Sequence, residues 1–294
     1  QSVDLDTDTL TNRVGSIVSD TTLNLKGSGS VDNDAGILSA GSVLTLADRN
    51  PAQKSLAINN GAGTLIAGQS VLIDSASYSG AGRVQSLGDL TFRLTQHLIN
   101  SGLVQSNGDL SLQIGGTMTN QGAVQSGALV RVDAGAIDNG ANGVISGRRV
   151  QANAVNQFDN RGVVDGESTR LSAATLNNLG TGRLYGDHLS ISAGTLNNTL
   201  EGAAAATIAA RNRLDIGAQV INNREHGLIF SAGDTVIGGL LDANDQASGQ
   251  AQVLNNASAT VEALGHLSVN ARQINNTNEH FATQRVLVSN QVLQ

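Results

Sequence analysis

Cysteine is absent from the 294 residues, so neither a disulfide framework nor a thiolate metal site can form. Tryptophan is absent as well, Pro51 is the only proline, and two Tyr and four Phe are the whole aromatic complement. Charged residues make up 14%, against about 25% in an average globular chain. The net charge of −7 argues against nucleic acid or an anionic membrane surface as a partner. No apolar run approaches the roughly 18 residues of a membrane span, so stable membrane insertion is not expected. No signal peptide opens the chain at Gln1, so if the protein is secreted a mature form or an internal fragment is expected. What is present is 39% hydrophobic residues and 35 glycines. That is too apolar for disorder, and it points to an aliphatic core built from small elements.

The dominant signal is a repeat. An apolar residue, any residue and then Asn recur at Asn12, Asn33, Asn60, Asn100, Asn120, Asn139, Asn160, Asn178, Asn198, Asn222, Asn255 and Asn276, with Gly80 behind Tyr78 in the one empty slot. Most steps are 18 to 21 residues, and the exceptions are 27, 24 and 33. Within a unit, a Gly follows the Asn, then an apolar residue and often a serine, as in Val84-Gln85-Ser86 and Val104-Gln105-Ser106. A turn such as Gly88-Asp89 or Gly108-Asp109 leads into an alternating segment, as in Leu90, Phe92 and Leu94 or Leu189, Ile191 and Ala193. Period 2 over five residues marks a strand with one face buried. Glycine every few positions leaves no room for useful helices.

Short strands, tight turns and a period near 20 predict an all-β fold, a right-handed parallel β-helix of about thirteen coils over residues 1–276, on the order of 60 Å long. The repeated Asn is then expected to form a ladder, each amide donating to the carbonyl of the next coil. The sequons at Asn197-Asn198-Thr199 and Asn275-Asn276-Thr277 fall on that ladder and are read as incidental.

Breaks in the repeat are where function is most easily added. Loops bulging from the rod are predicted near 49–55, with Pro51, and near 239–250, with Asp242, Asn244 and Asp245. Four alanines at 203–206 suggest a narrowed coil or a short helical turn. Asp4, Asp6 and Asp8 alternate as calcium ligands can, but Thr9 and Gly15 stand where a helix–loop–helix calcium loop needs Gly and Glu, and the segment reads as a strand. Segment 277–294 reads as an exit toward a domain not present, and the natural chain is expected to extend at both ends.

Catalytic, cofactor-binding and metal-binding residues are not assigned. His97, His188, His226, His266 and His280 lack metal-ligand spacing, and His188 and His266 read as ordinary surface residues ahead of strands. Gly180-Thr181-Gly182 lacks the following helix of a phosphate loop. Glycan-processing β-helices need clustered carboxylates on one face, whereas the acidic residues here look dispersed, with no strand position stacking Asp or Glu in consecutive coils. An enzyme is therefore not expected.

The unit Leu98-Ile99-Asn100-Ser101-Gly102-Leu103-Val104-Gln105-Ser106, followed by Gly108-Asp109-Leu110-Ser111-Leu112, resembles the filamentous haemagglutinin repeat, and the resemblance covers roughly residues 10 to 276. Asn275-Asn276-Thr277-Asn278-Glu279-His280-Phe281 resembles the end of such a repeat block. That family builds the stalks of two-partner-secreted exoproteins of Gram-negative bacteria, both adhesins and contact-dependent growth inhibition toxins. The resemblance implies export through an outer-membrane two-partner secretion transporter, display on the cell surface, and a stalk that projects a distal adhesive or toxic domain. The alternative is an adhesion module whose inserted loops bind a receptor on a target cell.

Overall fold

The computed structural model describes residues 1–286, and every regular element among them is a β-strand. The chain winds as a parallel solenoid of roughly 20 residues per turn. Three ladders run its length. The first climbs from Val3 through Leu23, Leu44 and Val71 to Thr235 and Leu267. The second climbs from Leu10 through Val31, Ile58, Tyr78 and Leu98 to Leu254 and Ile274. The third climbs from Ile17 through Leu38, Leu65 and Val84 to Ile229 and Val261. In early coils each face has its own strand, as in Ser70–Ser75, Ser77–Gly80 and Arg83–Ser86. Later the first and second faces fuse into strands such as Leu110–Asn120 and Ser168–Leu179, with register shifts at the corner, between Ile114 and Thr117 for example.

Alternation decides what each face buries. Leu90, Phe92 and Leu94 point inward, as do Leu189 and Ile191, and each stacks on its counterpart one coil away. The interior is narrow, so branched aliphatic side chains fill it. Only Tyr78, Phe92 and Phe158 bring aromatic rings inside, and Tyr78 meets Phe92 edge to face at 5.1 Å.

The predicted ladder exists. Asn12 donates to the side-chain carbonyl of Asn33, Asn33 to Asn60, and from Asn100 the chain of amides runs through Asn120, Asn139, Asn160 and Asn178 to Asn198 at 2.8 Å per step. All are buried, Asn12 the least completely. Each also donates to backbone, as Asn198 does to Leu228 O at 3.1 Å. At the empty slot the Tyr78 hydroxyl accepts the Asn60 amide at 3.3 Å. Burial pushes the Tyr78 pKa up, and this hydrogen bond opposes the shift without cancelling it.

Beyond Asn198 the sequence reading is one residue off. The inner ladder continues through buried Asn223 and partly buried Asn256, not Asn222 and Asn255, to the exposed Asn276. Val220-Ile221-Asn222-Asn223 offers two apolar residues and two asparagines, and a shift of one reverses which point inward. Ile221 is buried and Val220 faces out. The displaced asparagines form a second, outward row in which Asn275 donates to Asn255, Asn255 to Asn222, Asn222 to Asn197 and Asn197 to Asn177. Asn177 then donates to Asp159 at 2.7 Å. The inner row donates toward the following coil, the outer row toward the preceding one.

The alanines at 203–206 form no helical turn. Glu201 and Ala204 close a tight bridge there, and only Ala206 is buried. At the end, strand Ala271–Thr277 is followed by residues that reach across one intervening coil to Arg224 and Glu225, through Arg224–Glu279 and His280–Glu225 ion pairs. Residues 287–294 of the predicted exit segment lie outside the described residues.

Asn160→Ala removes a buried donor and acceptor, and it should cost about 2–4 kcal/mol in urea denaturation. Asn177→Ala, on the outward row, should cost under about 1 kcal/mol. Thr235 has a buried hydroxyl without a partner, so Thr235→Val should raise stability by about 1 kcal/mol.

Candidate functional site

The longer insertion has its own order. Leu240–Leu241 pairs antiparallel with Ala247–Ser248, making a hairpin that lies along the first face instead of bulging away from it. Glycine permits the contact. Gly217 and Gly238 occupy outward strand positions, and a Cβ at 217 would fall on the Leu240–Leu241 peptide, one at 238 on Ser248. Glycine inside a strand marks such a backbone approach, and this signal was readable in the sequence. The hairpin turn is self-braced. Asp242 Oδ1 accepts the backbone N–H groups of Asn244 and Gln246, at 2.8 and 3.0 Å. Asp245 carries φ +59°, a left-handed conformation that Asp tolerates. The tip, Asp242-Ala243-Asn244, is exposed.

Three successive coils hold the hairpin down. Arg170 donates to Asp245 Oδ1 at 2.6 Å, Ser190 Oγ donates to the Asp245 carbonyl at 2.9 Å, and the Ala247 amide donates to Asp215 Oδ1 at 2.8 Å. Asp215 is fully buried and also receives both Nε and Nη2 of Arg213, at 2.6 and 3.0 Å, and His188 at 2.8 Å. Burial alone would raise its pKa. The hydrogen bonds from His188, Arg213 and Ala247 outweigh that and lower it to about 2. His188, predicted from the sequence to be an ordinary surface residue, is half-buried and contributes to an anchor.

Ser190, His188 and Asp215 invite comparison with a hydrolytic triad, but the geometry differs. A triad uses one imidazole nitrogen for the carboxylate and the other for the nucleophile. Here Nε2 of His188 faces both Asp215 and Ser190 Oγ, at 2.8 and 3.1 Å. The Ser190 hydrogen is committed to the Asp245 carbonyl. The arrangement holds a backbone in place.

The shorter insertion is also tied down. Asp48 accepts the backbone N–H groups of Asn50, Ser55 and Leu56, and these outweigh burial to hold its carboxyl below the ordinary range. Lys54 pairs with Asp74 and donates to Arg93 O. Arg49 reaches Asp6 and Asp8, and Asn24 reaches Asp4. The three alternating aspartates are engaged in these contacts on the strand Val3–Asp6 and the turn after it.

One expectation is overturned. Asp138 and Asp159 do stack in consecutive coils. Arg161 offsets the charge, lying 3.8 Å from Asp138 and bidentate to Glu201 at 2.7 and 2.9 Å, while Asp159 accepts from Gln157 and Asn177. The missed signal was the alignment of Ile-Asp-Asn at 137–139 with Phe-Asp-Asn at 158–160. Gly180 to Gly182 form a tight turn, Gly180 at φ +56°, leading into strand Arg183–Thr199. His97, His226 and His266 are exposed, and His280 pairs with Glu225 at 2.8 Å, which raises the histidine pKa and lowers the glutamate's. Among the described residues no three His, Asp or Glu side chains are arranged to hold a metal ion, and no helix is long and apolar enough to cross a membrane.

Set against protein-family models, curated proteins and solved structures, the chain matches none.

Because the Asp215 pKa is depressed in the folded chain, its charged form stabilises the docked hairpin above the ordinary value of 3.8. That stabilisation is lost as pH falls from there through about 2. The amide proton of Ala247 should therefore titrate in NMR with a midpoint near 2. Gly217→Val should displace the same resonance at neutral pH. A midpoint at the unperturbed carboxylate value, or indifference to Gly217→Val, contradicts the assignment.

Proposed function

We propose that this solenoid is a stalk segment of a large filamentous exoprotein of a Gram-negative bacterium, related to the filamentous haemagglutinin repeats it resembles in sequence. In this reading it is secreted through an outer-membrane two-partner transporter and displayed at the cell surface. It spaces a distal adhesive or toxin-delivering domain from the producing cell. The observation that carries the reading is the unbroken stacking from Asn12 to Asn276, in which each coil finds its partners in the coils next to it. Folding can then advance coil by coil as the chain emerges from a pore, and with no cysteine nothing can be trapped as a disulfide in an oxidising compartment on the way. A buried asparagine ladder beside an aliphatic core, with a shorter amide row and ion pairs outside, suits a spacer whose length is its main property.

The second reading, an adhesion module, is favoured by the hairpin, whose braced, exposed tip is held rigidly at the rod surface. The two separate in one experiment. Labelled protein, with and without residues 240–248, is applied to intact bacteria and to epithelial cells at concentrations up to about 1 µM, a range that reports specific protein–receptor affinities. A spacer gives no saturable binding in either form. Saturable binding that disappears with the hairpin replaces the spacer reading with the adhesive one.

A further inference from the structure

Six aromatic residues serve the whole chain, and three of them, Tyr78, Phe92 and Phe158, are in the interior. Phe281 lies in the exit segment. The remaining two, Tyr185 and Phe230, sit outward in one column of the third face, with Ala209 between them. Two rungs of about 4.8 Å place them roughly 9.6 Å apart along the axis. The space between them is a cleft of about 400 Å³ lined also by Ala210, Arg211 and Ala232. Alanine at 209 leaves that space open where a larger outward side chain would fill it.

Arg211 links this cleft to a second, polar depression of about 430 Å³ that contains Arg148, Asp165, Glu167 and Asp187. The guanidinium is held by Asp187 at 3.0 Å and by both oxygens of Asp165, at 2.9 and 2.8 Å. The groove therefore joins two aromatic walls to a fixed array of donors and acceptors. A further ring needs about 3.5–4.0 Å of clearance on each side, which the two-rung separation of Tyr185 and Phe230 accommodates. Three carboxylates against two guanidiniums disfavour a polyanion.

We propose that this groove binds a neutral oligosaccharide. One pyranose ring would enter the aromatic cleft with its C–H faces against Tyr185 and Phe230, and the next sugar's hydroxyls would meet Arg211, Asp165 and Asp187. The inference goes beyond the spacer reading and does not depend on it. A single shallow cleft supports monovalent dissociation constants on the order of 0.1–1 mM, too weak to register in the cell-binding experiment.

The chain supplies its own reporter, because it lacks tryptophan and Tyr78 is buried, so sugar contact should alter tyrosine emission mainly through Tyr185. The titration uses tetrasaccharides of β-1,4-linked glucose, α-1,4-linked glucose and β-1,4-linked mannose, with trigalacturonate as the anionic control. Expected is a saturable change with at least one neutral sugar and little with the control. Phe230→Ala and Ala209→Leu should weaken binding about tenfold or more, and Tyr185→Phe, followed by NMR shifts, should retain it. Matching thermal melts establish that each variant is folded. No saturable response to any neutral sugar, affinity unchanged in both folded variants, or equal affinity for trigalacturonate overturns the proposal. The first of these outcomes leaves the spacer reading standing, whereas saturable cell binding through the hairpin would remove that reading and leave the groove untouched.

Discussion

Everything in this molecule depends on parallel strands meeting their equals one coil away, at the roughly 4.8 Å spacing of a β-ladder. Equivalent positions sit above one another, so whatever a position gains or suffers in one coil it meets again in the next. An inward Leu repeats as an aliphatic column. A repeated Asn becomes a chain of buried amides, each supplying the acceptor its neighbour needs. An Asp repeated at 138 and 159 requires an arginine and side-chain amides close by. The same constraint keeps rings scarce inside, where the narrow cross-section suits branched aliphatic side chains.

The two asparagine rows answer different requirements. The inner row satisfies polar groups that water cannot reach, and its interruption at Gly80 is covered by the Tyr78 hydroxyl, because a buried amide without an acceptor is costly. The outer row is half exposed, so each of its bonds contributes less. It donates in the opposite sense along the axis, so the amide dipoles of the two rows oppose each other through the C-terminal coils instead of adding. Asp159 closes the outer row as an acceptor-only group.

Much of this was legible in the sequence because a solenoid writes its geometry as a period. The apolar-x-Asn spacing, the strand alternation after Gly88-Asp89 and the places where the repeat lengthens all foretold the structure. Where the sequence was locally degenerate, it misled. Val220-Ile221-Asn222-Asn223 satisfies the pattern in two registers, and only continuity with Asn198 below and Asn256 above selects Asn223. The hairpin anchor was illegible for another reason. Arg170, Ser190, Asp215 and Asp245 are far apart in sequence and come together only once the coils stack. Gly217 and Gly238 were visible clues, masked by the abundance of glycine elsewhere. Tyr185 and Phe230 likewise become neighbours only through the alignment of their coils.

If in-register stacking is what holds the rod, whole coils should be interchangeable units and partial ones should not. The direct measurement is to duplicate residues 101–120, one complete coil between ladder positions Asn100 and Asn120, and to follow urea unfolding by circular dichroism beside a variant that duplicates residues 101–110 alone. The complete coil should leave a cooperative transition with an unchanged or higher midpoint and lengthen the rod by about 4.8 Å. The half coil should displace the ladders and lower the midpoint sharply. Equal tolerance of both insertions, or collapse of the complete-coil variant, would contradict the account.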